Sequence, residues 1–375
     1  MRTRLRNIWY LCGKELRSVL EDYTLMALIV VIFSVVTYAV AVGVSTEVKN
    51  ASIAVLNEDH SNLSYRIIDG FHAPYFKPIQ NIERQEIDDA LNTGKYTFIL
   101  DIPVDFEKDM IAQRHPSIQL LTDATAVSQA GLGSAYIEQI IRDETAAYFA
   151  QTPAVEQLPI KAVTHIKYNP NTLSEWFIAP MQVVVNTSLL AMLLVGAAII
   201  RELERGTIEH LLVMPVKAYE IALAKIISNS LIITIAAILS LYLVIHLWIG
   251  VPLQGSVFLF TLSTVIFLFA ACSLGIFLAT LTPSMPQFGL LCIPLYVVMR
   301  LLSGSESPLE SMPHVIQVMT QFSPLTQFVL AAQGIILRYA GFDVIWVHLL
   351  YMTLMAIAFF TLALIRFRKM LSQQG

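Results

Sequence analysis

Residues 201–225 read RELERGTIEHLLVMPVKAYEIALAK, the one strongly charged stretch lying between two long apolar runs. Its ionisable side chains are Arg201, Glu202, Glu204, Arg205, Glu209, His210, Lys217, Glu220 and Lys225. On a helix, Arg201 would meet Glu204 and Arg205 would meet Glu209 at three- and four-residue spacing, each pair adding about 0.2–0.5 kcal/mol. Gly206 interrupts that helix. Thr207 is placed to cap a short second one, Glu209 falls in its first turn where negative charge is favoured, and Pro215 ends it. Ile208, Leu211 and Leu212 form its apolar side. A helix of about two turns cannot bury such a side alone, so it needs the membrane surface or a partner protein. The alternative is an ordinary charged loop between two spans.

The rest of the chain places this stretch in a membrane protein. Of 375 residues, 56% are hydrophobic and 14% charged, with mean hydropathy +0.64. Soluble globular chains carry about 25% charged residues. Net charge is −4, but residues 44–175 hold 18 acidic and 10 basic side chains, so the remainder is basic. That asymmetry points to topology rather than to nucleic-acid binding. The cysteines Cys12, Cys272 and Cys292 all lie outside the polar region, which therefore needs no disulfide.

In chain order, residues 1–22 are basic, with Leu5, Ile8, Trp9, Cys12, Leu16, Val19 and Leu20 at helical spacing; they are expected to lie along the cytoplasmic interface in contact with membrane lipids. Residues 23–44 carry no charge and reach about 33 Å as a helix, enough to span a bilayer. A cleaved leader is the competing reading, because Ala39-Val40-Ala41 fits a cleavage site, although the polar segment before it is long for that.

Residues 45–175 alternate strand-like and helical pieces: strands over 52–56, 96–102 and 118–122, and helices around Leu63, Ile67 and Phe71, over 83–92, from Pro103 through Arg114, and over 128–149. Alternation of this kind predicts a small α/β domain. Apolar runs at 176–200, 226–248, 257–281 and 344–365 are each long enough to cross, while 288–302 is shorter and contains Arg300. The piece 314–337 is interrupted by Pro324. Short, proline-interrupted segments suggest one further span followed by a re-entrant excursion over 303–343. The expectation is thus an α-helical polytopic membrane protein of six spans with an inserted extracytoplasmic α/β domain. Five basic residues precede the first span, four lie in the central loop and three at the C-terminus, against Arg300 and Arg338 in the short outer segments. The positive-inside rule then puts both termini and the central loop in the cytoplasm and the α/β domain outside.

No phosphate-binding G-x-x-x-x-G-K-[ST] loop occurs, so the chain does not bind ATP by that route. His60, His72, His115 and His165 lack metal-ligand spacing, and neither a nucleophile elbow nor an H-E-x-x-H motif is present. No catalytic residue, cofactor site or metal site is expected. Polar residues inside spans are expensive in lipid: Gln182 and Asn186, one turn apart in the second span, are candidates for a transport pathway, with hydrogen bonding between helices as the competing reading. Arg300 can snorkel to headgroups from the outer end of a short span.

The run Glu202-x-Glu204-x-Gly206-Thr207-x-Glu209-x-Leu211-Leu212-x-x-Pro215, followed by Glu220-Ile221 and Lys225, resembles the cytoplasmic coupling segment of type-2 ABC exporter permeases. The resemblance extends over essentially the whole chain and includes Lys14-Glu15-Leu16 and Asp22 ahead of the first span. It is nearest to inner-membrane multidrug-type permeases of bacteria with a large periplasmic domain. Ser303-Gly304, Pro313 and Ser323-Pro324 resemble the family's outer gate region, where tight helix caps are the bland alternative; Arg300 departs from the apolar residue expected before Ser303.

The resemblance implies a permease subunit that exports drugs or other amphiphiles. It implies as partners separate ABC ATPase subunits carrying the ATP and magnesium, a second permease subunit, identical or sibling, and an outer domain that covers the exit or meets a periplasmic adaptor. The rival reading is a non-transporting receptor or adhesion scaffold using the α/β domain to bind a partner.

Overall fold

A strand whose two faces are both covered is mostly apolar on both, and Ile53–Asn57 (β1) and Phe98–Ile102 (β3) are built that way apart from Asn57 at the end of β1 and the buried Asp101 of β3. The computed structural model describes residues 2–43, 50–123, 127–149, 169, 173–206 and 216–372, and its contacts divide the chain into two units, Met1–Val44 with Tyr168–Gly375, and Ser45–Lys167.

In the second unit β1 and β3 pair in parallel, Ile53 opposite Phe98 and Asn57 opposite Ile102. Gln119–Thr122 (β4) adds antiparallel to β3, and Gln80–Asn81 (β2) adds parallel to β1, giving the order β2-β1-β3-β4. Successive side chains alternate faces. Ile53, Val55, Phe98, Leu100 and Ile102 pack with Leu63 and Ile67 of Asn62–Asp69 (α3) and Ile137 of Val127–Phe149 (α6). Ala54, Leu56 and Ile99 face the other way, against Ile87 and Ala90 of Ile87–Asn92 (α4). Three details differ from the sequence reading. The helix expected from Pro103 to Arg114 covers only Phe106–Ile111 (α5), because its preceding residue Asp105 adopts φ 56° and starts the helix late. The helix expected over 83–92 opens as a 3-10 turn, Arg84–Glu86. β2 is a two-residue edge strand too short to leave a pattern.

In the first unit, Arg2–Leu20 (α1) precedes five helices that are long and apolar enough to cross a membrane among the described residues. These are Tyr23–Gly43 (α2), Ser174–Glu204 (α7), Ala218–Ile249 (α8), Val257–Ala279 (α9) and the long C-terminal helix. Met285–Leu301 (α10) is shorter, about 25 Å at 1.5 Å per residue. The interrupted piece forms His314–Thr320 (α11) and Pro324–Leu337 (α12), followed by Phe342–Ser372 (α13). Pro324 does not break a helix: it occupies the first helical position of α12, where a missing N–H costs nothing. At about 21 Å, α12 is too short to cross a hydrocarbon core of about 30 Å, and from Pro324 to Ile336 every residue but Leu330 is buried. Phe328 stacks on Phe267 of α9 at 4.3 Å between ring centroids.

The first candidate span contains a π turn, Ile32–Val36. Such a turn leaves carbonyls without their ordinary helical partner, and here side chains from three helices take them. Thr37 Oγ1 donates to Ile32 O at 3.0 Å, Asn186 Nδ2 of α7 donates to the same oxygen at 3.1 Å, and Ser240 Oγ of α8 donates to Phe33 O.

Candidate coupling site

The α7 helix ends at Glu204, with Arg205 as its C-cap. Gly206 has φ +67°, the left-handed region in which a side chain is disfavoured and glycine is not, so the break expected at Gly206 is present. Thr207, Glu209, Leu211, Leu212 and Pro215 lie outside the described residues. The chain is described again from Val216, and α8 begins behind Lys217. There Glu220 Oε2 accepts the Lys217 N–H at 3.0 Å and the Tyr219 hydroxyl donates to Oε1 at 3.3 Å. A glutamate three residues after the cap thus satisfies one of the helix's orphan donors.

Among the described residues, Arg201 and Glu204 are not spent on each other, while the expected partner of Arg205, Glu209, lies outside the described residues. The expected Arg201–Glu204 contact is replaced by two distant ones. Arg201 Nη1 binds Asp22 Oδ2 at 3.2 Å, and Glu204 Oε1 accepts the Met285 N–H at the start of α10, at 2.8 Å. A fixed partner that completes a helix cap outcompetes an exposed intrahelical pair worth a few tenths of a kcal/mol. Asp22 also caps α2, accepting the Leu25 N–H at 3.1 Å. That backbone bond first, and the Arg201 guanidinium after it, hold the Asp22 carboxyl below the usual carboxylate range against the opposing effect of burial.

Glu202 turns inward. Its Oε1 lies 2.9 Å from the ammonium of Lys225, which also donates to both carboxylate oxygens of Glu15 on α1 at 3.1 Å. Lys14 lies 3.6 Å from Glu202 on the solvent side. Lys225 is 1% exposed. One turn on, Ser228 Oγ donates to Cys12 O at 3.0 Å. The helices on both sides of segment 207–215 are therefore tied to α1, to the start of α2 and to α10.

The two pathway candidates are brought together. Gln182 Nε2 donates to Asn186 Oδ1 at 2.9 Å, and Asn186 Nδ2 donates to Thr37 Oγ1 and Ile32 O, both at 3.1 Å. Both amides are buried and their hydrogen bonds serve the π turn of α2. Among the outer-gate candidates, Ser303 Oγ donates to Arg300 O at 2.7 Å and Ser305 N–H donates to Ser303 Oγ at 3.3 Å. Gly304 has φ +85° and its carbonyl accepts from Gln333 Nε2 of α12 at 3.0 Å. Pro313 is in the N-cap position of α11, and Pro324 is the first residue of α12. Arg300 has a protein partner where a headgroup was expected: its Nη2 lies 2.6 Å from Glu306 Oε1, six residues on across the Ser303-Gly304 turn.

Comparison with known proteins agrees with this architecture. A family described as "ABC-2 family transporter protein" matches residues 23–365. The chain is 43% identical over 367 residues to the inner membrane transport permease YhhJ of Escherichia coli (strain K12), covering 97% of this chain and 98% of that protein. It is 27% identical to two probable multidrug ABC transporter permeases of the same organism: YbhR, over 90% of this chain and 92% of the relative, and YbhS, over 98% of each. With a family match over nearly its full length and a relative so similar from end to end, the chain belongs to the ABC-2 family of transporter proteins.

Proposed function

We propose that this chain is the membrane-spanning permease subunit of an ABC exporter in a bacterial inner membrane, moving an amphiphilic or drug-like substrate outward with ATP hydrolysed on separate ATPase chains. The observation that carries the reading is the framing of segment 207–215. Gly206 frees its entrance, Glu220 caps the helix after its exit, and Arg201, Glu202 and Glu204 anchor its near side to three other helices. A short segment held between two candidate spans so anchored is suited to pass a push from an ATPase surface into the membrane helices. Thr207, Glu209, Leu211, Leu212 and Pro215 form its contact face in this reading.

The permease has six spans in this proposal: the five long helices and α10, with α11 and α12 as a re-entrant segment on the outer side. That arrangement is supported by the burial of α12 within protein, as irregular elements at membrane depth require. Both termini and segment 201–225 are cytoplasmic, and the Ser45–Lys167 unit is periplasmic, covering the exit or meeting a periplasmic adaptor. Two copies, identical or sibling, enclose the path. Family membership and relatives named as multidrug permeases support transport of amphiphiles over a receptor or adhesion role.

The test is purification of the chain with the ABC ATPase that co-purifies with it, followed by ATPase and vesicle transport assays over a panel of amphiphiles. ATP-dependent transport by the complex, with no hydrolysis by the permease alone, is expected. An assembled complex that moves no substrate of any class, or hydrolysis that persists after every co-purifying ATPase is removed, would contradict the reading.

A further inference from the structure

Lys225 is the most deeply enclosed cation in the described residues, at 1% exposure, and it is shared. Its ammonium has three N–H donors and meets three carboxylate oxygens: Glu15 Oε1 and Oε2 at 3.1 Å, and Glu202 Oε1 at 2.9 Å. With Lys14 at 3.6 Å from Glu202 and 3.9 Å from Glu15, these two acids and two bases sum to zero net charge. The four side chains come from three elements, α1, the last turn of α7 and the third turn of α8.

Desolvating such a set offsets much of its Coulombic gain, and apolar side chains of the same volume would join three helices at least as firmly. What the charges add is selectivity for one arrangement, since a small shift of any helix leaves a carboxylate or the ammonium desolvated without its partner. Two further contacts extend the same body. Ser228 Oγ to Cys12 O holds α1 to α8 one turn along, and Arg201 to Asp22 joins α7 to the cap of α2.

We infer that Lys225 is a positioning residue that locks α1, the end of α7 and the start of α8 into one rigid body, so that displacement of segment 207–215 reaches the first span through α1 and Asp22. Without the lock, α7 and α8 yield separately and α1 no longer follows them. The inference rests on the proposed role of the chain as an ABC permease, and it assigns α1 a part in force transmission beyond that of an interfacial anchor.

The experiment uses the complete permease–ATPase complex in proteoliposomes and reads the amount of substrate moved per ATP hydrolysed, normalised to assembled complex. Three forms are compared with wild type: the neutral triple Glu15→Gln/Glu202→Gln/Lys225→Met, the single Lys225→Glu, and the full charge swap Lys14→Glu/Glu15→Lys/Glu202→Lys/Lys225→Glu, which keeps every opposite-sign contact of the set. A merely structural role lowers the yield of complex and reduces both activities in proportion, leaving the ratio unchanged. The lock predicts that the triple and the single keep basal hydrolysis while the ratio falls about tenfold, within the usual range of a coupling energy, and that the swap recovers most of it. A neutral triple with the wild-type ratio overturns the inference, as does an assembled swap that stays as uncoupled as Lys225→Glu. Wild-type complex that moves nothing strikes instead at the proposed function.

Discussion

Glu204 Oε1 accepts the backbone N–H of Met285 at 2.8 Å, so the last turn of α7 supplies the N-terminal cap of α10 from 81 positions earlier in the chain. Ser284, the residue in the capping position, makes no side-chain cap bond of its own, and a carboxylate beside a helix N-terminus is favoured by both the orphan donors and the helix dipole. Replacing Glu204 with Ala should cost about 1 kcal/mol and speed amide exchange over residues 285–288, while Gln, which still accepts, should lose less. Hydrogen exchange by mass spectrometry on the purified chain decides it. Unchanged exchange in the Ala variant would show that α10 is capped another way.

Asn186 closes a polar chain running from Gln182 to the π turn of α2. Asn186→Leu should leave Thr37 as the one side chain serving Ile32 O and leave the Gln182 amide without its acceptor, a loss of about 1–3 kcal/mol. The expected outcome is a lower thermal midpoint in detergent, with the largest loss of protection in residues 30–40. A variant as stable as wild type but defective in transport would assign Asn186 to the substrate path instead.

In the α/β unit the Tyr148 hydroxyl donates to Glu107 Oε1 and the Leu63 N–H to Oε2. The phenol, ahead of the backbone bonds, holds the Glu107 carboxyl below its ordinary range, and the same contact raises the Tyr148 hydroxyl. For Glu107 the contribution to stability is present above its unfolded value of about 4.3 and is lost as pH falls through the folded one. For Tyr148 it is present below about 10 and is lost as pH rises through its folded value. Protection of α3 and α6 should therefore form a plateau between these limits in wild type, and Tyr148→Phe should abolish the alkaline limb. An alkaline limb unchanged in Tyr148→Phe would assign it to other groups.

A cysteine at Lys108, on α5, should react with a membrane-impermeant reagent applied from outside, and one at Arg368 only after the membrane is opened. The reverse pattern would invert the proposed topology.

How far these arrangements could be read in the residues depended on the range of the forces involved. The β1 and β3 runs and the long spans are predominantly apolar, so short windows sufficed. The break at Gly206 was equally local, because a left-handed backbone at the end of a charged helix calls for glycine. The partners of the charges were not local. Arg201 and Glu204 stand at an ideal helical spacing, yet each is drawn to a helix N-terminus or its cap more than 80 residues away. Glu15 and Lys225, 210 apart, each stand in a segment that resembles the family, but no spacing could expose their pairing with each other. The π turn at Ile32–Val36 left no pattern in an apolar run, although Asn186 and Ser240, polar residues in neighbouring spans, were its trace. Arg300 had a local signal in Glu306 across the Ser303-Gly304 turn.

The central claim is that the stretch from Arg201 to Lys225 carries force between this chain and a separate ATPase. Its most direct test is the rate of substrate transport and of substrate-stimulated ATP hydrolysis by complexes carrying Gly206→Pro or Glu209→Lys. Proline cannot adopt the φ of +67° found at Gly206, and lysine reverses a charge on the expected contact face. Neither change touches a span, so membrane insertion should be normal, and both rates should fall together by about tenfold or more. Full transport by both variants in normally assembled complexes would contradict the claim and leave the segment a linker.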